Sequence, residues 1–493
     1  MSTPPKTSAQ RAVAPGAAKS TKSNLAKAVK ARATKAPTTK AVKARATQAP
    51  TKVASAAKAV TKVASAAKAG RTNSTSPVAA DTAPGDGNGP WRGGGRGSGR
   101  GRGIYNRQLQ RGNERWPIGA RILAWLFRRP ELLLTLLGRP APVRVDGRVM
   151  NRSIQALLEV MSRLDGLLGG RAAAEGLGDP VVMRKQMSSI ALFTMPIRTD
   201  VHVVERMIPA TGGSKGSKDI PVRVYRRFGT GLGLGPRPPA IVYFHGGGWV
   251  VGDLISHDPS CRLLAAVSGC VVVAVDYRLA PEDPFPAAVE DALAAYRWVH
   301  GHADELGIAD GRVGVMGDSA GGNLAAVVAL LTRPGASIPP SLNASSSAVV
   351  PAPIAQGLVY PGLSTRFDSE SMRLFGKGFL LTEQEMVGYR HAYLPNREDW
   401  ELGEASPLLT DDVDGVAPAL VVTAGFDPLR DDGDDYAAKL REAGVKVEHR
   451  CYDDQVHGFF GMGFLADSLA LSVEVCAAMG RMMHGDGPRQ GQG

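Results

Sequence analysis

The sequence predicts an α/β fold, with a mostly parallel central sheet, helices on both faces and a basic N-terminal arm in front. From about residue 140, short apolar runs alternate with helix-like segments. Several of these runs are continuously apolar, as expected of parallel strands that are buried on both faces. At 493 residues, the chain has room for one large domain and an appendage.

The appendage is predicted over residues 1–115, which carry 23 Lys/Arg against three acids, whereas the remainder carries 36 Lys/Arg against 43 acids. Lys27–Thr34 recurs at Lys40–Thr47, Thr51–Ala59 recurs at Thr61–Ala69, and a Gly/Arg stretch follows. Such a segment has too little apolar surface to offset its ordering entropy, so we expect disorder. Its charge suits non-specific contact with nucleic acid or anionic membrane lipid, and a solvated tail without a partner stays an alternative.

An apolar segment, Ile118–Gly138, follows the arm and is interrupted by Pro130, which should break or kink a helix. Each half is too short to span a bilayer. Flanking arginines permit an interfacial membrane contact, and a pair of helices packing over the next domain is the alternative. With no secretory signal and no long apolar run, the expected location is the cytoplasm. A peripheral association with the membrane or the nucleoid is the alternative.

The predicted sheet and its helices are read from seven segments. Five are strand-like and two are helix-like: Asp219–Arg226, Ala240–His245, Gly269–Asp276, Arg312–Met316, Ala419–Ala424, and then Pro286–His300 and Gly322–Leu331. The four cysteines show no metal-ligand spacing, so neither a zinc site nor a disulfide is expected, and no metal ligands are assigned.

Ser319 is the first candidate catalytic residue. It stands in Gly317–Gly321, a Gly-x-Ser-x-Gly pattern with an apolar strand before it and a helix directly after it. This context is that of a nucleophile elbow, where a sharp turn presents the serine Oγ at the edge of a sheet. The sequence therefore predicts a serine nucleophile at the start of a helix.

A glycine run at the end of an earlier strand predicts the oxyanion hole. Gly246, Gly247 and Gly248 follow His245, and bare amides at such a turn allow a carbonyl oxygen to approach closely. Together with the amide of Ala320, these glycines are the predicted oxyanion-hole residues.

The acid and the base should follow the serine in the order acid, then histidine. Asp427 comes just after the strand Ala419–Ala424, whereas its rivals lie farther on, at a predicted helix start: Asp431, Asp432, Asp434 and Asp435. We therefore predict Asp427 as the acid.

Three histidines lie downstream of Asp427. His449 stands inside an alternating strand, His484 in a Gly-rich tail, and His457 in a loop between a strand and a helix. A histidine in such a loop can reach the edge of the sheet, so His457 is the predicted base.

These motifs together resemble the hormone-sensitive lipase family of α/β-hydrolases. The resemblance rests on His245–Trp249, Asp276–Glu282, Gly317–Asn323, Asp427–Asp431 and His457–Phe459. It implies an eight-stranded sheet with a helical cap, here from about 140–195 and 365–400. The domain prediction is a disordered arm at 1–115, an apolar helical segment and N-terminal cap region at 116–200, and a catalytic domain at 201–485.

The same resemblance implies the activity. The family hydrolyses uncharged, short- to medium-chain acyl esters through an acyl-enzyme, without metal or organic cofactor. The expected partner is therefore a small-molecule ester. An amidase or deacetylase with the same triad, and a hydrolase tethered to nucleic acid or membrane by its basic arm, remain alternatives.

Residues 333–357 are expected to form a surface loop.

Overall fold

The computed structural model describes residues 114–115, 124–167, 178–210, 219–229, 236–339, 342 and 350–485. The basic arm predicted over 1–115 lies outside these residues, apart from Glu114 and Arg115. The first part of the apolar segment, up to residue 123, also lies outside them.

The strands of the described residues form one large sheet and two short ribbons. In chain order they are β1 Glu114–Arg115, β2 Arg144–Val145, β3 Arg148–Val149, β4 Ile197–Arg198, β5 Val201–Ile208, β6 Ile220–Arg227, β7 Ala240–Phe244, β8 Val271–Val275, β9 Val313–Asp318, β10 Gln356–Val359, β11 Ala419–Phe426 and β12 Val447–Val456. The large sheet has eight strands in the order β12-β11-β10-β9-β7-β8-β6-β5. The six strands from β12 to β8 pair in parallel, and β6 pairs antiparallel with both β8 and β5.

The helices connect the strands and cover the sheet. They are α1 Pro130–Leu136, α2 Arg152–Leu167, α3 Pro180–Thr194, α4 Asp258–Ser268, α5 Ala287–Gly301, α6 Ala320–Leu331, α7 Glu370–Phe375, α8 Glu383–Tyr393, α9 Arg430–Glu442 and α10 Ala466–His484. Residues of α5, α6 and α9 form the core on one face of the sheet. Those of α4 and α10 form the core on the other face.

Strand β7 shows how the sheet receives helices on both faces. All five of its side chains are buried. Val242 and Phe244 pack into one core, whereas Ile241 and Tyr243 pack into the other, because successive side chains of a strand point to opposite faces. The predicted fold class is therefore confirmed: a mostly parallel sheet between two helical layers.

Two sequence-based details are corrected, whereas the position of His457 in a loop after a strand is confirmed, since β12 ends at Val456. His484 is the last residue of α10 rather than part of a tail, and the Gly that follows it ends the helix. The stretch 333–357 is not a loop throughout, since its last two residues belong to β10.

The described part of the apolar segment packs on the domain. Residues 124–127 are helical, and α1 begins at Pro130, where a missing amide hydrogen costs no helical bond. Phe127 and Leu134 are buried in a core that also contains Phe426 and Phe464, while Trp125 is exposed. Within the described residues, none of the helices combines the length and the apolar character that a membrane crossing requires.

Candidate active site

Ser319 lies at the sharp turn between β9 and α6. Its backbone has φ 54° and ψ −120°, a left-handed conformation that costs a non-glycine residue about 1–3 kcal/mol. The amide of Ser319 donates to the carbonyl of Val359 on the neighbouring strand at 2.9 Å. A Cβ at Gly321 would collide with the carbonyl of Phe244, so only glycine fits there. The glycines thus permit the close approach that the strained turn requires.

Three side chains from separate strand ends meet at this turn. His457 Nε2 lies 3.0 Å from Ser319 Oγ, and its Nδ1 lies 2.8 Å from Asp427 Oδ2. Asp427 is fully buried, and its second oxygen accepts a hydrogen bond from the amide of Leu429 at 2.8 Å. An acceptor that holds Nδ1–H leaves Nε2 free to accept a proton from the serine. The arrangement is a continuous Asp–His–Ser hydrogen-bond chain.

The rival residues have other partners. Asp431 accepts from the amide of Ser371, and Asp432 accepts from the amides of Leu363 and Ser364. Asp435 is exposed at the surface of α9.

The other two histidines are also engaged away from Ser319. His449 Nε2 lies 3.0 Å from Asp434 Oδ1. His484 Nε2 lies 3.1 Å from the carbonyl of Ser268, at the far end of α10.

The glycine run lies next to the same turn, but its three glycines differ in whether their amides already have an acceptor. The amide of Gly246 donates to Asp318 Oδ1 at 3.0 Å, so it is not available to an oxyanion, and the prediction for Gly246 was wrong. Gly247 has φ +126°, a conformation open to glycine alone. In the described part of the chain, no backbone acceptor pairs with the amides of Gly247, Gly248 or Ala320. These three amides can face a ligand.

The Asp318 carboxylate, next to the serine, holds the glycine run in place. Besides Gly246, its Oδ1 accepts the Tyr243 hydroxyl at 2.6 Å, and its Oδ2 lies 3.5 Å from His257 Nε2. Burial alone would raise the pKa of Asp318, but His257 and the Tyr243 hydroxyl hold that pKa below its ordinary value. The carboxylate therefore stays charged beneath the glycine run.

A second support for the loop comes from His245. Its ring stacks on Tyr277 with 4.2 Å between centroids, and the Tyr277 hydroxyl donates to the His245 carbonyl at 2.7 Å. Burial lowers the pKa of His245 to about 4, so the ring is neutral at neutral pH. Sequence reasoning missed the supporting roles of Asp318, Tyr243 and His257, because only spatial proximity joins them.

A cavity of about 240 Å³ opens above Ser319 and His457. Most of its lining surface is apolar, and part of it comes from both predicted cap regions: Met187 on α3 and, from the second region, Phe367, Leu381, Met386, Tyr389 and Leu394. A second recess of about 440 Å³ adjoins it beside Tyr389 and Met187. The site can thus hold a small molecule with an apolar body against the hydrogen-bonded serine.

Comparison with known proteins identifies the family. Residues 241–461 match a family model described as alpha/beta hydrolase fold. The chain is 40% identical over 347 residues to the carboxylic ester hydrolase LipN of Mycobacterium tuberculosis, a match that covers 70% of this chain and 85% of that protein. It is also 36% identical over 286 residues to the carboxylesterase NlhH of the same species, covering 57% of this chain and 83% of that one.

Similar solved structures are esterases as well. A thermostable esterase from Pseudomonas putida superposes with a TM-score of 0.59 at 30% identity, covering 69% of this chain and 99% of that one. An ester hydrolase from the Lake Arreo metagenome gives 0.58 at 34% identity, covering 68% and 99%. On these similarities and on the fold described above, the chain belongs to the carboxylesterase family of the α/β-hydrolase fold and is a serine ester hydrolase.

Proposed function

We propose that Ser319, His457 and Asp427 are the catalytic triad of this hydrolase. The observation that carries the proposal is the Asp427–His457–Ser319 hydrogen-bond chain, with contacts of 2.8 and 3.0 Å. His457 removes the proton of Ser319 as Oγ attacks the ester carbonyl, and it then returns that proton to the leaving alcohol. Asp427, buried and held by Leu429, keeps the imidazole oriented and stabilises its charged form.

The oxyanion of each tetrahedral intermediate would be held by the amides of Gly247, Gly248 and Ala320. All three are free of backbone acceptors among the described residues, and Ala320 also opens helix α6, whose N-terminus has positive potential. Each such donor contributes roughly 3–4 kcal/mol to the stability of the transition state. Water then attacks the acyl-enzyme: His457 removes a proton from the water and returns it to Ser319 Oγ as the carboxylic acid is released.

The substrate class follows from the cavity. A lining that is largely apolar and a volume of about 240 Å³ suit a short- to medium-chain acyl ester. The adjoining recess gives room for the second half of the ester. Residues 116–200 and 365–400 would serve as the cap of a catalytic domain over 201–485, since Met187 and Tyr389, from the two parts, border both spaces.

Kinetics on the full-length chain test the triad. With p-nitrophenyl butyrate as substrate, Ser319→Ala should lower kcat by at least about 10⁴-fold, and Asp427→Asn by a similar order. Ser189→Ala is the matched control, because that exposed serine bonds only its own helix. Turnover by Ser319→Ala equal to that of the wild type would contradict the assignment.

The amidase alternative uses the same residues, so only the leaving group separates the two activities. We expect p-nitrophenyl butyrate to be cleaved far faster than the butyryl p-nitroanilide with the same acyl group. Faster cleavage of the anilide would favour the amidase.

For the basic arm and the compartment, our sequence-based expectations stay predictions. Counterion release from an arm with 23 Lys/Arg would make binding to duplex DNA weaken by orders of magnitude between 50 and 200 mM salt. Binding of the full-length chain to DNA and to vesicles of anionic lipid, measured across that salt range, distinguishes the two surfaces. Absence of both at 50 mM salt would leave the arm as a solvated tail.

A further inference from the structure

One cation in the wall of the active-site cavity has no carboxylate partner among the described residues. Arg390, on α8, lines the cavity that contains Ser319. Its Nη1 donates to the carbonyl of Thr365 at 2.6 Å, whereas its Nε is buried and has no acceptor. Other arginines of this domain, such as Arg278 and Arg184, are paired with acids. Arg390 thus carries an uncompensated charge at the site.

Aromatic rings fix the position of this guanidinium. Its central carbon lies 3.9 Å from the ring centroid of Trp400 and 4.8 Å from that of Phe367. Cation–π contacts of this kind stabilise a charge that has lost part of its hydration. The side chain is therefore held in one orientation, although no acid binds it.

The surroundings do not neutralise the charge. Burial, and then repulsion from Arg397, lower the pKa of Arg390, but an arginine starts so high that it remains protonated. Among the described residues that line the cavity, the one carboxylate is Asp318, which Gly246 and Tyr243 already engage. The cavity thus has a positive wall and no free acid to balance it.

The lining that Arg390 shares with Ser319 also includes apolar side chains, among them Leu381, Met386 and Leu429. A guanidinium offers several donors in a planar fork that matches a carboxylate. We propose that Arg390 is a specificity-determining residue that binds a carboxylate at the far end of the ester, so that the preferred substrates carry a methylene spacer between an ester and a terminal carboxylate. This proposal rests on the proposed function and replaces the expected uncharged ester by one that carries a terminal carboxylate.

The carboxylate could lie on the acyl or on the alcohol side, and two isosteric pairs distinguish these. Monomethyl adipate is compared with methyl hexanoate for the acyl side, and 6-acetoxyhexanoate with hexyl acetate for the alcohol side. The readout is the ratio of kcat/KM within each pair, measured by pH-stat on the full-length chain. For one of the pairs we expect kcat/KM of the acidic ester to exceed that of its neutral counterpart at least about tenfold, which is the effect expected of one charge-assisted hydrogen bond.

Variants then assign that ratio to Arg390. Arg390→Met should lower it at least about tenfold, and Arg390→Lys, which keeps a cation, should lower it less. Arg397→Met is the matched control, because Arg397 also lies over the Trp400 ring, at 5.3 Å, but does not line the cavity. Its ratio should stay close to that of the wild type.

Failure of this inference can be told from failure of the proposed function. Cleavage of the neutral esters without preference for the acidic ones overturns the role of Arg390 and leaves the hydrolase intact. If no ester is cleaved, calorimetric titration of the Ser319→Ala chain with monomethyl adipate and methyl hexanoate decides the matter without turnover. Tighter binding of the acidic ester that Arg390→Met abolishes supports the proposal, and equal affinities overturn it.

Discussion

Removal of the Asp318 carboxylate should impair catalysis although this side chain does not belong to the proposed triad. Asp318→Ala deprives the Gly246 amide and the Tyr243 hydroxyl of their acceptor, at 3.0 and 2.6 Å. A buried polar group left without a partner costs about 1–3 kcal/mol, so the two together should lower the free energy of unfolding by about 2–6 kcal/mol. Without its anchor the glycine run, with the proposed oxyanion donors Gly247 and Gly248, can also shift relative to Ser319.

That shift sets the expected kinetic effect. A displacement of about 1 Å between catalytic groups can cost on the order of 100-fold, so we expect kcat of Asp318→Ala to fall about 100-fold. Asp318→Asn keeps an acceptor oxygen for Gly246 and Tyr243, and its loss should stay within about tenfold. The assay is kcat and KM on p-nitrophenyl butyrate at a temperature where circular dichroism shows the variants folded, together with urea unfolding. A folded Asp318→Ala protein with the kcat of the wild type would refute the positioning role.

Three further substitutions test neighbouring parts of the site. Gly248→Ala would push a methyl group into the ring of Tyr389 at a backbone φ of +59°, so kcat/KM on the same ester should drop at least about tenfold, and an unchanged value would contradict the geometry. Asp432→Asn should change how stability depends on pH. Burial raises the pKa of Asp432 to about 7, so the wild type loses stability as pH rises from about 4 to 7, by up to about 4 kcal/mol, and the variant should lack that loss in urea unfolding measured at several pH values. His449→Ala should leave kcat within about twofold of the wild type, since this histidine contacts Asp434 rather than the serine, and a loss as large as that of a triad residue would contradict this.

Much of the fold could be predicted because its signals are local in the chain. The continuous apolar runs that became β7, β8 and β11 are long enough to mark strands on both faces of a sheet. The turn at Ser319 was predictable because it requires glycines where the backbone of the turn packs against the backbone of neighbouring strands. The spacing of those glycines around the serine is visible in the sequence. The order in which Asp427 and His457 follow it placed them at strand ends, where the structure brings them within hydrogen-bond distance.

The features that were missed depend on contacts between distant segments. The prediction for Gly246 was wrong because a run of three glycines does not tell which amide already has an acceptor, and here Asp318 takes the first. His484 follows a helical pattern, but the glycines after it obscured where α10 ends. Nothing local marks Arg390 as unpaired, because its neighbours in the cavity come from elsewhere in the chain.

The central claim, that this esterase acts through an acyl-enzyme on Ser319, is tested most directly by trapping the nucleophile. The full-length chain would be treated with an ethyl p-nitrophenyl alkylphosphonate, and the adduct located by intact-mass measurement and peptide mapping. We predict one phosphonyl group per chain, on the peptide that contains Ser319, release of one equivalent of p-nitrophenol, and no adduct on Ser319→Ala. A stoichiometric adduct on another residue, or an equal adduct on Ser319→Ala, would contradict the account.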